Sequence, residues 1–194
     1  AEIAAKSISK VRINPGNFVD KGIASLREFD EAEFTQGREH AREALRPLLD
    51  AAKERGVPLR IGVNHGSLSA RMLNKYGDTI EGMVESALEY IKLCEDENFD
   101  QLVVSLKASN TKIVVTAYRL LVARLTEEGL KQYPLHVGVT EAGEGLDGRT
   151  KSSVGIGALL LEGLGDTIRV SLTESPVNEV PVAEGLRDAC VLEP

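Results

Sequence analysis

Short runs of β-branched and apolar residues alternate along this chain with longer segments whose apolar residues recur at helical spacing. This alternation is typical of strands that are joined by helices in a parallel α/β sheet. The predicted strands lie near residues 10–14, 59–64, 101–107, 135–140 and 167–172, and the predicted helices near 35–55, 79–96, 111–128, 151–163 and 179–190. We therefore expect an α/β fold of about five βα units.

Capping residues support several of these boundaries. Asp78 and Asn110 precede two of the predicted helices, and their side-chain oxygens can accept the free amide hydrogens of a first turn. Gly56, Gly129 and Gly163 follow predicted helices and can adopt the positive φ that ends a helix.

Each predicted strand carries a cationic or polar residue near its carboxyl end, namely Arg12, Arg60, Lys107, His136 with Glu141, and Arg169. Residues two or four apart share a face of a strand, which pairs Arg12 with Asn14, Arg60 with Asn64, Ser105 with Lys107, and Arg169 with Ser171. Cations on one side of a sheet repel each other and lose hydration unless an anion neutralises them. The pattern therefore predicts a ligand that bears phosphate.

The spread of these residues over five strands favours a barrel. In a (β/α)₈ barrel every strand can contribute its carboxyl end to one site, whereas an open sheet binds its ligand at one switch point. Five βα units are too few to close eight strands. We therefore expect the later part of a TIM (β/α)₈ barrel over residues 1–175, with residues 176–194 as a tail or the start of a next segment.

Composition excludes several classes of protein. The formal net charge of -7 over 194 residues argues against a nucleic-acid binder. We find no apolar run long enough for a membrane span and no apolar core of a signal peptide, so we expect a cytoplasmic protein, or one of the plastid stroma if it comes from a plant. Cys94 and Cys190 stand far apart without a metal-ligand spacing, so we expect no metal site in this chain.

Glycine-containing turns follow two of the strands, at VNHGSL (63–68) and VTEAGEG (139–145), where a ligand can approach the backbone. Lys151, Ser152 and Ser153 are predicted to open a helix whose free amides either hold a phosphate oxygen or carry an ordinary serine cap. Glu141 lies at the mouth of the predicted site. It either donates a proton, if desolvation keeps it protonated, or balances the arginine charges.

Seven ordered motifs between about residues 5 and 175 closely resemble the 4-hydroxy-3-methylbut-2-enyl diphosphate synthase family of the methylerythritol phosphate route to isoprenoids. They are KVRINPGN, RIGVNHGSLS, VVSLKASN, YRLLVA, LHVGVTEAGEG, KSSVGIGALL and GLGDTIRVSLTE. The HGSLS variant and the long connection from Pro15 to Phe34 look like the plant-type, three-domain branch of that family.

The resemblance implies a TIM barrel that binds 2-C-methyl-erythritol 2,4-cyclodiphosphate, which the full-length enzyme opens and reductively dehydrates with two electrons. By resemblance the diphosphate would be held by Arg12, Arg60, Lys107 and Arg169. The hydrogen bonds to substrate would come from Asn14, Asn64, His65 and Ser171. Glu141 would face the reacting carbon skeleton as a proton donor.

The resemblance also implies parts that this chain lacks. Family members carry a [4Fe–4S] cluster on three cysteines and a glutamate in a separate domain, and neither Cys94 nor Cys190 matches those ligands. We therefore expect the iron–sulfur domain to be absent and the isolated chain to be inactive. The expected partners are the cyclic diphosphate and, for the full-length enzyme, ferredoxin or flavodoxin as electron donor. We also expect self-association through open sheet edges.

Two other functions remain open from the residues alone. A phosphate-binding barrel enzyme without a redox centre, an aldolase or isomerase, would use Lys107 as a Schiff-base nucleophile. A non-catalytic scaffold would use exposed sheet edges to associate with itself.

Overall fold

The computed structural model of the chain describes residues 1–19 and 28–190, so part of the connection from Pro15 to Phe34 and the last four residues of the predicted tail lie outside it. The chain divides into two compact units, Ala1–Ser105 and Leu106–Pro194. The first contains α1 (Glu2–Ala5), β1 (Val11–Ile13), α2 (Pro15–Phe18), α3 (Glu31–Arg55), β2 (Leu59–Asn64), α4 (Ala70–Tyr76), α5 (Ile80–Asp96) and most of β3 (Leu102–Lys107). The second contains α6 (Thr111–Glu127), β4 (His136–Val137), α7 (Gly145–Leu161), β5 (Thr167–Ile168), a 3₁₀ helix (Pro176–Asn178) and α8 (Glu179–Cys190).

Both sheets contain parallel pairs, and the predicted α/β class with parallel strands is confirmed. One sheet has the order β1-β2-β3, and β1 pairs with β2. The other pairs β4 with β5, with His136 opposite Thr167 and Val137 opposite Ile168. These last two strands are shorter than predicted, because the chain leaves strand pairing and enters loops that hydrogen-bond to each other, as in the bond from the Ala142 amide to the Ser171 carbonyl at 3.2 Å. The expectation of self-association through sheet edges stays a prediction.

The alternation of side chains along the strands builds the core of the first unit. The apolar face of β1 and β2 is at most 3% exposed and is formed by Val11, Ile13, Leu59, Ile61 and Val63. Helix α5 packs against β2. The opposite face of the same strands is thereby left to the polar and cationic residues that the sequence singled out.

Caps account for most of the helix boundaries. Asn110 caps α6 by accepting the amide hydrogens of Lys112 and Ile113, and Gly56 ends α3 in the left-handed conformation, as predicted. Helix α3 begins earlier than predicted because Asp30 and Glu33 form a reciprocal capping box.

One predicted cap was wrong by a single residue. Thr79, not Asp78, caps α5, and its hydroxyl accepts the Gly82 amide hydrogen at 3.0 Å. The Asp78 carboxylate instead accepts the amide hydrogen of Gly66 at 3.0 Å, in the loop after β2. A carboxylate next to a helix start can accept either the amides of the first helical turn or those of a neighbouring loop. Asp78 accepts the loop amide of Gly66.

The predicted start of α7 was also wrong. The helix begins at Gly145, so Lys151, Ser152 and Ser153 lie inside it and offer no free amides to a phosphate. No side chain of its own segment caps this helix; the Gly145 amide donates at 2.7 Å to the carboxylate of Glu174, which follows β5. A cap supplied from 29 residues away leaves no local signal in the sequence.

Within the described part of the chain, no helix combines the length and the apolar character that crossing a membrane requires.

Tyr118 on α6 joins two strand segments of the second unit. Its buried hydroxyl accepts the Leu106 amide hydrogen at 3.0 Å and donates to the His136 carbonyl at 2.7 Å. One side chain thus satisfies a donor of β3 and an acceptor of β4, both of which would otherwise be unpaired.

We expect Tyr118→Phe to lower the free energy of unfolding by about 1–3 kcal/mol, because it leaves a buried amide and a carbonyl without partners. Urea unfolding followed by circular dichroism measures this difference. Ser153→Ala is the control, since it removes an exposed hydroxyl whose bond runs to Arg149 of the same helix. Equal effects of the two substitutions would contradict the role of Tyr118.

Candidate functional site

Arg12 and Arg60 stand side by side on neighbouring strands. In the parallel pairing of β1 with β2, Arg12 is the register partner of Arg60. Register partners on adjacent strands, about 4.8 Å apart, direct their side chains to the same face. Two guanidinium groups on one face repel each other, and an anion relieves that repulsion. The structure therefore brings together the two cations that the sequence predicted for this part of the site.

The Arg12 side chain lies across β2. Its Nη2 donates to the Gly62 carbonyl at 2.9 Å and to Asn64 Oδ1 at 3.4 Å. Gly62 makes this possible, because a Cβ there would lie 2.4 Å from Arg12 Nε and 3.1 Å from Ser105 Oγ. Partial burial lowers the pKa of Arg12 from its ordinary value. Ser105 Oγ is buried and has no hydrogen-bond partner among the described residues.

The loop after β2 is held from two sides. Ser67 Oγ accepts a hydrogen bond from Asn14 Nδ2 at 3.0 Å, and Asp78 accepts one from the Gly66 amide. The other carboxylate oxygen of Asp78 lies 3.7 Å from Nδ1 of His65. Asn14 and His65 are therefore fixed in the first unit, close to the ends of the strands that carry Arg12 and Asn64.

A buried ion pair between α4 and α5 helps to hold the loop that follows β2. The Arg71 guanidinium of α4 donates two hydrogen bonds to the Glu89 carboxylate of α5, at 2.7 and 2.6 Å, and stacks over the Phe34 ring with 4.9 Å from Cζ to the centroid. The two charged side chains are only 3% and 7% exposed. Breaking a buried pair leaves one uncompensated charge, so this contact fixes α4, and with it the end of the loop, on α5.

In the second unit Glu141 adopts an unusual backbone conformation. Its φ is +52°, in the left-handed region that costs a residue with a side chain about 1–2 kcal/mol. The flanking amides hold it there: Thr140 donates to the Ala108 carbonyl at 3.1 Å, and Ala142 donates to the Ser171 carbonyl. Such strain concentrates at functional positions, and the Glu141 carboxylate is exposed in this unit.

The other polar residues that the sequence singled out in the second unit lie on or shortly after β3, β4 and β5. Lys107 is the last residue of β3 and is 8% exposed. Arg169 follows β5 with an exposed side chain, and its amide donates to the Val137 carbonyl at 2.9 Å. Ser171 is half-buried. His136 has a structural partner, since Nδ1 lies 2.8 Å from Thr167 Oγ1.

Glu174 ties the loop after β5 to the start of α7. Its carboxylate accepts two hydrogen bonds from Arg149, at 2.6 and 3.1 Å, and others from the Gly145 amide and Asn178. The bonds from Arg149, followed by those from Gly145 and Asn178, lower the pKa of Glu174 to about 2. This ionised carboxylate also complements the positive end of the helix dipole.

Most of the chain matches one known protein family. The model of the GcpE TIM-barrel domain matches residues 1–184. The chain therefore belongs to this family. The expected TIM-barrel class, inferred at first from strand-end residues and motifs, is confirmed.

Curated relatives of this chain are named as diphosphate synthases. The chain is 55% identical over 185 residues to the 4-hydroxy-3-methylbut-2-en-1-yl diphosphate synthase (flavodoxin) of Leptospira interrogans and 56% identical over 181 residues to that of Akkermansia muciniphila. It is 55% identical over 186 residues to the synthase (ferredoxin) of Trichodesmium erythraeum. These alignments cover 95%, 93% and 95% of this chain but 28%, 31% and 46% of the relatives.

The two cysteines do not fit an iron–sulfur cluster. Cys94 is fully buried in α5, and burial raises the pKa of its thiol to about 12, whereas a cluster ligand is a thiolate. Cys190 is the last residue of α8. Within residues 1–19 and 28–190 no three His, Cys, Asp or Glu side chains come together as a metal site.

Sequence reasoning missed three residues that shape these loops: Gly62, Asp78 in its actual role, and Glu174. A glycine inside a strand indicates that another group packs closely against the backbone there, so Gly62 could have been identified from the sequence. Asp78 and Glu174 act across loops that are distant in sequence, and nothing local marks them.

We expect Gly62→Ala to displace the Arg12 side chain, because the added Cβ occupies the space of Nε. The Arg12 Nε–H signal in ¹H–¹⁵N spectra should shift, and the affinity for inorganic pyrophosphate should fall about tenfold through the loss of an aligned charged donor. Gly185→Ala is the matched control, since a Cβ there meets no atom within 4 Å. An unchanged Arg12 signal would show that the Arg12 side chain can lie across β2 without a glycine at position 62.

Glu174→Gln should reduce stability at neutral pH but not at strongly acidic pH. The folded-state pKa lies near 2, below the ordinary carboxyl value, so the stabilisation is full above about 4.5 and disappears as the pH falls through 2. Urea unfolding of parent and variant between pH 7 and pH 2 measures the difference. Glu127→Gln, an exposed acid of the same unit, is the control; a difference for Glu174→Gln that does not change with pH would exclude the ionised cap.

Proposed function

We propose that the full-length protein is a reductive synthase that opens and dehydrates 2-C-methyl-erythritol 2,4-cyclodiphosphate to 4-hydroxy-3-methylbut-2-enyl diphosphate. The reaction consumes two electrons, which flavodoxin or ferredoxin would supply. This chain would contribute substrate-binding residues of the barrel.

The observation that carries the proposal is the 52–56% identity to synthases of this name over 93–99% of the chain. The register-paired arginines of β1 and β2 support the proposal, because guanidinium groups bind phosphate oxygens through charge-assisted hydrogen bonds.

In the first unit we assign Arg12 and Arg60 to phosphate oxygens. Arginine suits this role because its planar guanidinium presents parallel N–H donors to an oxyanion. Asn14, Asn64 and His65 would hydrogen-bond the phosphate or the sugar-like hydroxyl groups. The Asn64 amide is already oriented, since its Oδ1 accepts from Arg12 and its Nδ2 is thereby turned away from that guanidinium.

In the second unit we assign Lys107 and Arg169 to phosphate oxygens and Ser171 to a hydrogen bond with substrate. Glu141, which is exposed in the structure, would donate a proton to the hydroxyl group that leaves as water once bound substrate removes its carboxyl from water. The pinned left-handed backbone supports this role, because a proton donor gains rate when its position is fixed before the reaction.

A [4Fe–4S] cluster would deliver the electrons, with its ligands outside this chain. The compartment would be one that supplies flavodoxin or ferredoxin, the cytoplasm or the stroma of a plastid. The relatives' names favour the reductive synthase over the Schiff-base alternative, because they name flavodoxin or ferredoxin.

We expect Arg60→Ala and Arg169→Ala to weaken substrate binding by about 1.5–3 kcal/mol each, roughly 10- to 150-fold in Kd, because a charge-assisted hydrogen bond is lost in ground and transition state alike. Glu141→Gln should leave Kd nearly unchanged and slow turnover by roughly 10²- to 10⁴-fold. Titration calorimetry and steady-state kinetics of the full-length protein with an artificial reductant separate the two effects.

Two exposed arginines serve as charge-matched controls. Arg38→Ala in α3 and Arg187→Ala in α8 remove the same charge from residues whose ion pairs are at the surface. The assigned roles would be wrong if Glu141→Gln turned over at the parental rate, or if both Arg60→Ala and Arg169→Ala bound substrate normally.

A further inference from the structure

Two similar turns follow the neighbouring strands β1 and β2. The Asn17 amide donates to the Asn14 carbonyl at 3.0 Å, and the Ser67 amide donates to the Asn64 carbonyl at 3.1 Å. The turns press against each other, because a Cβ at Gly16 would lie 1.8 Å from the Ser67 carbonyl oxygen. Only a residue without a side chain fits there, so the relative position of the two turns is fixed.

The hydrogen bonds between these turns use both lone pairs of one hydroxyl group. Asn14 Oδ1 accepts the Gly16 amide hydrogen at 3.2 Å, which identifies its other end as the NH₂ group, and this Nδ2 donates to Ser67 Oγ at 3.0 Å. Asn17 Nδ2 donates to the same oxygen at 3.3 Å. A serine hydroxyl has two lone pairs and one proton. With both lone pairs engaged, the Ser67 hydroxyl acts only as a donor.

No acceptor for the Ser67 proton is present among the residues that the structure describes. The hydroxyl is half-buried, at the same turn as His65. Its partner Asn14 shares a strand face with Arg12, and Asn64, which opens the turn, contacts the Arg12 guanidinium. The free proton therefore belongs to a cluster that already presents cationic donors.

We propose that Ser67 is a further ligand-binding residue whose hydroxyl donates a hydrogen bond to a phosphate oxygen of the substrate. An ionised phosphate oxygen is a hydrogen-bond acceptor at neutral pH, so it matches a hydroxyl that can only donate. Asn17 makes the longer of the two bonds to this oxygen, and the proton that the hydroxyl donates does not depend on it. The proposal rests on the proposed function, since it takes the same diphosphate as ligand.

The test compares Ser67→Ala, Ser67→Thr and Asn17→Ala in the full-length protein. Calorimetric titration with the cyclic diphosphate, and with inorganic pyrophosphate as a simpler probe, gives Kd for each. We expect Ser67→Ala to weaken Kd about 10- to 100-fold, because a hydrogen bond to a charged oxygen is lost. Ser67→Thr retains the hydroxyl and should recover most of the affinity.

Asn17→Ala is the matched control for the turn contact. It removes one of the two bonds to the Ser67 oxygen but leaves the proton, so Kd should stay within about twofold of the parent while thermal unfolding reports the lost contact. Parental affinity in Ser67→Ala would overturn the proposal. So would equal losses in all three variants, because the packing of the turns would then set the affinity. A parent that binds neither ligand would overturn the proposed function, and this assignment with it.

Discussion

The repulsion between two register-paired arginines on one face of a parallel sheet is the constraint on which the first unit depends. Arg12 and Arg60 point to the same side because the β1–β2 register makes them partners. Their aliphatic neighbours fill the opposite side, so neither arginine can turn inward without breaking the core. The Gly62 carbonyl and Asn64 accept hydrogen bonds from Arg12 at the end of β2. We propose that a diphosphate binds at the same strand ends.

Loops at the strand ends of both units are fixed by hydrogen bonds to other loops rather than by their own segments. In the first unit, Ser67 receives amides from the turn after β1 and Asp78 receives the Gly66 amide. In the second, backbone amides beside Glu141 bond to carbonyls that follow β3 and β5. These contacts hold functional side chains in position before a ligand arrives. Preorganisation of this kind lowers the entropy lost on binding and in the transition state.

The two cysteines bear on the role that we propose for this chain. Cys94 is buried with a raised pKa and Cys190 ends α8, so neither suits a cluster ligand, and we propose that the chain contributes binding groups and a proton donor. The chain spans 28–46% of its relatives' length, so the proposed activity is that of the full-length protein.

The sequence by itself determined the α/β class, the positions of β1, β2 and β3, most helices, and the strand-end residues from Arg12 to Ser171, because periodicity and local caps are properties of neighbouring residues. It did not determine where α7 begins, which residue caps α5, or that Ser67 is left with only a proton to offer. Those features depend on Glu174, Asp78, Asn14 and Asn17, each of which acts on a loop distant in the chain. Only the tertiary structure decides them, because a hydrogen bond between loops depends on which strands become neighbours and in what register.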